Sequence, residues 1–168
     1  SDLLGKYRSC EAVIVDTRHN GGGWLHDDLA TLLDGEGYIR FEPRGQYIGT
    51  EPYNKWTKPS CVLIGEDNYS DACGFPYVYK TLGIGKLIGA PVPGTMTAVW
   101  WENQIDPSIV FGIPQVGALG VKEGRYLENM QIEPDILVYN DPASVLRGED
   151  RQLEAAVKEM LKTIDSNK

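Results

Sequence analysis

Two stretches of this chain follow one plan, and that plan constrains the fold more than any other feature. Residues 12–16, AVIVD, form a short apolar run ending in a carboxylate. A polar turn rich in glycine follows (17–23, TRHNGGG), and then Leu25, Leu29, Leu32 and Leu33 at helical spacing, with Asp27 and Asp28 near the positive end of the helix. Residues 61–66, CVLIGE, repeat the run, and 67–71, DNYSD, repeat the turn. Phe75, Val78, Tyr79 and Leu82 then share one helical face, with Gly83 as a stop. Unbroken apolar runs of this length read as strands buried on both faces, which is the habit of parallel sheets. Strand, turn and helix recurring in order predict an α/β domain with a mostly parallel sheet and flanking helices.

The rest of the chain fits that frame. Residues 34–60 carry Gly, Pro and the aromatics Tyr38, Tyr47, Tyr53 and Trp56, and read as loops with short strands. Further strands are expected at 86–91 (KLIGAP), 97–104 (TAVWWENQ), 108–119 (SIVFGIPQVGAL) and 135–139 (DILVY), separated by Gly and Pro. Asp141-Pro142 has the form of a helix N-cap with Pro at the first helical position. Leu153, Val157, Met160, Leu161 and Ile164 predict the apolar stripe of a final helix. A length of 168 residues suits one domain with a real core.

Composition removes several classes. A net charge of −8 opposes a nucleic-acid surface, which needs a basic stripe. No run of 18 apolar residues is present to suit a membrane helix. Cys10, Cys61 and Cys73 show no paired spacing, so neither a zinc site nor a disulfide framework is expected, and no metal or organic cofactor is implied. The odd count leaves a free thiol, which leans toward a reducing compartment, with the choice between cytoplasm and periplasm left open. Strand-like residues begin only about a dozen positions in, which suggests a piece of a longer protein.

Ligands in such sheets gather at the carboxyl ends of strands, where both polar turns fall. The glycine turn lacks the GxGxxG spacing of a dinucleotide site and the GxxxxGK[ST] of a Walker A loop. What remains is a run of bare amides at the mouth of a helix, suited to an oxyanion, or simply a tight turn. In the second turn Ser70 stands at the strand-to-helix junction. It reads either as an exposed nucleophile, with the Asp71 amide beside the nascent oxyanion, or as a helix N-cap. Cys73 reads as a small buried residue, and Asp16-Thr17-Arg18 as a strand-end ion pair. Trp100 and Trp101 must point to opposite faces, so at most one lines a substrate pocket, and Trp100 is the candidate. The other readings for the pair are core packing and an interface.

Taken together, DTRHNGGG (16–23), NYSDACGFPYVYKTLGIGKLIGAPVPG (68–94), YLENMQIEPDI (126–136) and GEDRQLEAAV (148–157) resemble the core domain of the tricorn and C-terminal-processing serine proteases, the tricorn branch more closely. The resemblance covers about residues 12–160. It implies a repeated ββα core like that of ClpP and the crotonases. It also implies peptide-bond hydrolysis by acyl transfer, on a peptide or unfolded protein. Ser70 matches the nucleophile. Asp71 supplies one oxyanion N–H and Gly23 the second, with Gly22 next in line. Glu128 matches the acid that orients the catalytic histidine, directly or through a second serine.

The base is the gap. In the tricorn branch the histidine lies upstream of a PDZ-like insert, so the resemblance places His-bearing and PDZ-like segments outside residues 1–168. His19 and His26 flank the glycine turn and read as surface or turn-supporting groups. The other branch uses a lysine about 25 residues after the serine. Thr95 stands there, and Lys80 and Lys86 read as solvated. The expectation is a serine peptidase domain, 1–168, whose base comes from outside it and which is inactive by itself. Homo-oligomers or contacts with upstream domains are expected partners. A crotonase-like acyl-CoA enzyme and a non-catalytic peptide-binding or assembly domain are the alternatives.

Overall fold

A computed structural model of the chain describes residues 2–166. Strand β1 (Val13–Asp16) leads through the glycine turn into helix α1 (His26–Leu33). An antiparallel hairpin follows, β2 (Ile39–Phe41) and β3 (Gly49–Glu51). Strand β4 (Ser60–Ile64), helix α2 (Asp71–Leu82) and strand β5 (Lys86–Gly89) form the second unit. Two further antiparallel pairs project beyond it: β6 (Ala98–Asn103) with β7 (Val110–Val116), and β8 (Leu119–Gly120) with β9 (Arg125–Tyr126). Strand β10 (Ile136–Leu137), the short helix α3 (Pro142–Leu146) and helix α4 (Arg151–Ser166) complete the order.

The central sheet runs β1-β4-β5-β10, and every neighbouring pair is parallel. All five residues of β4 are buried, and its alternation assigns them to two cores. Val62 and Ile64 pack with Leu33, Phe75 and Tyr79 under α1 and α2. Cys61 and Leu63 pack with Ile88, Ala156 and Met160 under α4. The expected α/β class and parallel sheet are what the chain adopts. Since β1 pairs with β4 from Val13↔Ser60 to Asp16↔Leu63, both polar turns leave the same sheet edge side by side.

Several boundaries differ from the sequence reading. The expected strand 108–119 breaks into β7 and β8, and that at 135–139 shortens to the two residues of β10. Asp141 does cap a helix, its carboxylate accepting the Ser144 amide, but α3 is a separate short helix ended near Gly148, where φ is +75°. The final stripe is correct in period and wrong in face. Met160 is buried, whereas Leu153, Val157 and Leu161 are exposed, and the residues against the sheet are Gln152, Ala156 and Met160. Gln152 tolerates burial because its amide donates to Val138 O at 2.9 Å and its oxygen accepts from Arg18 at 3.0 Å. Leu25 and Leu82 are likewise exposed at the ends of their helices.

The strand-end ion pair is present and reaches further than expected. Arg18 binds Asp16 through Nε and Nη2 and grips Asp150 through both terminal nitrogens, at 2.7–2.9 Å. It thereby joins the end of β1 to the start of α4.

Candidate active site

Ser70 sits between β4 and α2 with φ +55° and ψ −121°. A non-glycine residue at positive φ is strained by about 1–3 kcal/mol and persists only where its surroundings hold it. Here they do. The Ser70 amide donates to Thr95 Oγ1 at 3.0 Å, and its carbonyl accepts from Cys73 and Gly74 in the first turn of α2. The adjacent Tyr69 amide donates to Asn20 O at 3.1 Å, tying the serine turn to the glycine turn. Ser70 stands at the N-cap position of α2, as one of the two readings had it, but its hydroxyl makes no capping bond there.

The three glycines divide their work. Gly22, at φ +99°, lies so close to the serine turn that a Cβ would stand 2.7 Å from Ser70 Cβ and 2.9 Å from Asp71 N. Its own N–H donates to Asn20 Oδ1 at 2.7 Å. Gly23 is open to solvent at φ +153°. The amides of Gly23 and Asp71 have no acceptor among the described residues. Both residues border, with Ser70, a cavity of about 390 Å³. A larger cleft of about 580 Å³, between residues 4–9 and 47–58, contains none of the candidate residues. Two free amides bordering the same cavity as a hydroxyl, one of them at the positive end of α2, can stabilise developing negative charge on an oxygen.

Asp71 also works through its side chain. Oδ2 accepts the amides of Leu25, at 2.7 Å, and His26, at 3.2 Å, and so caps α1 from across the site. Oδ1 is bound by His26 Nδ1. His26, expected at the surface or supporting the turn, does support it, but it also lines the Ser70 cavity. His19 is exposed, paired with Asp67, and its hydrogen bond holds the Asp67 carboxyl below its ordinary value.

Glu128 is half-buried next to the segment that carries Thr95. Its Oε2 accepts from Met96 N at 2.8 Å, Thr97 N at 2.7 Å and Thr97 Oγ1 at 2.7 Å. Burial pushes this carboxyl up, but the Thr97 hydroxyl and the two amides outweigh it and hold it below the usual range. Oε1 has no hydrogen-bond partner among the described residues.

Other candidates resolve plainly. Cys73 is fully buried and its thiol donates to Asn68 O at 3.3 Å. Lys80 pairs with Asp135 and Lys86 with Glu159. Trp100 does not line the Ser70 cavity; its indole N–H donates to Glu102 on the exposed β6–β7 hairpin. Trp101 packs over Gly112 on the other face, so neither tryptophan enters the core. Their alternation was readable, but whether the hairpin was covered was not. Among the described residues no group of three His, Cys, Asp or Glu could hold a metal ion. The sequence reading missed Thr95 and His26 as parts of the site. Thr95 was noticed only as an absent base, although the same 25-residue spacing brings its hydroxyl to the serine turn.

A model of peptidase family S41 matches residues 1–138. The chain is 26% identical over 156 residues to the tricorn protease of Thermoplasma acidophilum, covering 93% of this chain and 15% of that protein. It is 27% identical over 156 residues to a tricorn protease homolog of Saccharolobus solfataricus, covering 92% of this chain and 14% of the relative. The crystal structure of the tricorn protease superposes with a TM-score of 0.80 at 25% identity, over 92% of this chain and 15% of that one. Mature CPAF matches in fold, with a TM-score of 0.74 at 16% identity over 99% of this chain and 46% of that one. The fold and these relatives define a protease domain. More particularly, the chain belongs to peptidase family S41. It spans about 15% of the length of the tricorn relatives it matches.

Proposed function

We propose that this domain hydrolyses peptide bonds through Ser70. The observation that carries the reading is the strained Ser70 backbone, φ +55°, with a hydroxyl that makes no capping bond and that shares its cavity with the unpaired amides of Asp71 and Gly23. Ser70 Oγ attacks the carbonyl carbon as a histidine takes its proton. The carbonyl π electrons move onto oxygen, where the Asp71 and Gly23 amides receive them. Gly23 is favoured over Gly22 because the Gly22 N–H already serves Asn20. Collapse expels the amine, which leaves with the proton, and water then hydrolyses the acyl-serine. Glu128, held by Oε2, offers Oε1 to orient the histidine, either directly or through a second hydroxyl.

The base comes from outside residues 1–168, from an upstream segment of a longer parent. Peptides or unfolded proteins are the substrates. The exposed aromatics of the β6–β7 hairpin and of 38–56 contact upstream domains or further copies of the chain. A fluorophosphonate probe on the parent and on residues 1–168 alone tests these points. The parent is expected to label at Ser70 and to lose labelling in Ser70→Ala. The shorter chain is expected to label at least ~10³-fold more slowly, as for a triad without its base. Labelling of Ser70→Ala, or equal rates for the two proteins, would refute the respective part.

A further inference from the structure

The walls of the Ser70 cavity are mainly apolar, with Trp24, Tyr77, Val78, Met96, Val116 and Leu127 contributing. Among the described residues one acidic residue borders it, Asp71, whose side chain is only 12% exposed. A carboxylate in such a place would ordinarily attract a cationic substrate side chain. Asp71 is not free to do so. Its Oδ2 is occupied by the amides of Leu25 and His26, and its Oδ1 by His26 Nδ1. Oδ1 lies toward Gly74 and Met96, which also line the cavity: a Cβ built on Gly74 would lie 3.3 Å from it and 3.6 Å from the methyl of Met96. The imidazole is itself held, with the edge of its ring against Trp24 at 5.5 Å between centroids.

We infer that His26 determines substrate class at this site by covering Asp71 Oδ1, so that the cavity takes a large apolar side chain beside the scissile bond. The inference rests on the peptidase reading above. The imidazole occupies Oδ1, and the other side chains that line the cavity offer a substrate mostly aromatic, aliphatic and thioether surface. Without the ring, Oδ1 becomes an unshared acceptor in a mainly apolar pocket, and a lysine or arginine side chain gains a partner there.

The test is a fluorogenic peptide series carrying Phe, Leu, Lys or Glu on either side of the scissile bond, with cleavage sites mapped by mass spectrometry. It uses whichever preparation, parent or shorter chain, hydrolyses peptide. In the wild type, kcat/KM for Phe and Leu is expected to exceed that for Lys and Glu by at least ~10-fold. His26→Ala is expected to raise Lys relative to Phe by about 10-fold, and His26→Phe, which refills the space without a donor, to do the same. His26→Asn keeps a donor for Oδ1 and should retain the wild-type ranking. Adding Asp71→Asn to His26→Ala should remove the gain. A wild type that prefers Lys overturns the inference. So does an unchanged ranking in both donor-less variants. Loss of all hydrolysis in folded His26→Asn also overturns it, because His26 would then be moving a proton rather than covering a carboxylate. Hydrolysis that survives Ser70→Ala, or its absence in the wild type, refutes the peptidase reading instead.

Discussion

A methyl group on Gly22 would meet Ser70 Cβ and Tyr69 O, both at 2.7 Å, from a backbone already at φ +99°. No flexible side-chain end lies there to yield, so the serine turn itself must shift. Gly22→Ala is therefore expected to cut fluorophosphonate labelling of Ser70 by at least ~100-fold, since displacement of a reacting group by about 1 Å costs that much. Gly21 has nothing within 4 Å of an added Cβ, and Gly21→Ala should leave labelling within about twofold. Measuring both variants beside their melting temperatures separates site damage from unfolding. At this scale the sequence was informative wherever the signal was local. The two polar turns were legible as candidate ligand positions from their place after two apolar runs, whereas the roles of Ser70, Asp71 and the glycine run came only with the family resemblance. Which glycine packs and which has a free amide was not legible, because that depends on Asn20 and on a neighbouring turn some 48 residues away. His26 and Thr95 were missed for the same reason: their partners, Asp71 and Ser70, are 45 and 25 residues distant.

Among the elements, β4 and α4 mark the two limits of what periodicity can say. Residues 61–66 were expected as a buried strand, and Cys61 to Ile64 are fully buried in β4, which begins one residue earlier at Ser60 and ends before the exposed Glu66. An uninterrupted apolar strand has only one interpretation, since both its faces must be covered. An α4 stripe at i, i+4 spacing has two, because the stripe beside it repeats with the same period. Leu153, Val157 and Leu161 won on hydrophobicity, yet Gln152, Ala156 and Met160 face the sheet. The bonds that let Gln152 be buried come from Arg18 and Val138, invisible in a helix pattern. The two elements should differ sharply under truncation. Leu63→Ala is expected to cost about 2–5 kcal/mol in urea unfolding, whereas Leu161→Ala, with the side chain exposed, should stay within ~0.5 kcal/mol.

Across the whole molecule, Arg18 joins the first strand of the sheet to the last helix. Its guanidinium, 11% exposed, lowers the Asp16 and Asp150 carboxyls from their ordinary values, chiefly by side-chain hydrogen bonds. Carboxyls depressed in the fold stabilise it above their unfolded value, near pH 4, and that stability is lost as pH falls through the folded values. Arg18→Met should therefore lower stability at pH 7 and flatten its decline below about pH 4, as read from urea midpoints over a pH series. This long-range tie was foreseen only as a local pair, because a strand end announces its own charges and not the helix that answers them.

The two amides beside Ser70 follow strands that pair directly, β1 with β4. The starting points of the two turns are thus measured out by the peptide ladder of the sheet, and the bonds to Asn20 and Thr95 complete the alignment. Such a ruler cannot be adjusted in small steps. A slip of one residue between these strands would turn every inward side chain outward, so the alignment of the glycine and serine turns is inherited from the same choice that separates the two cores.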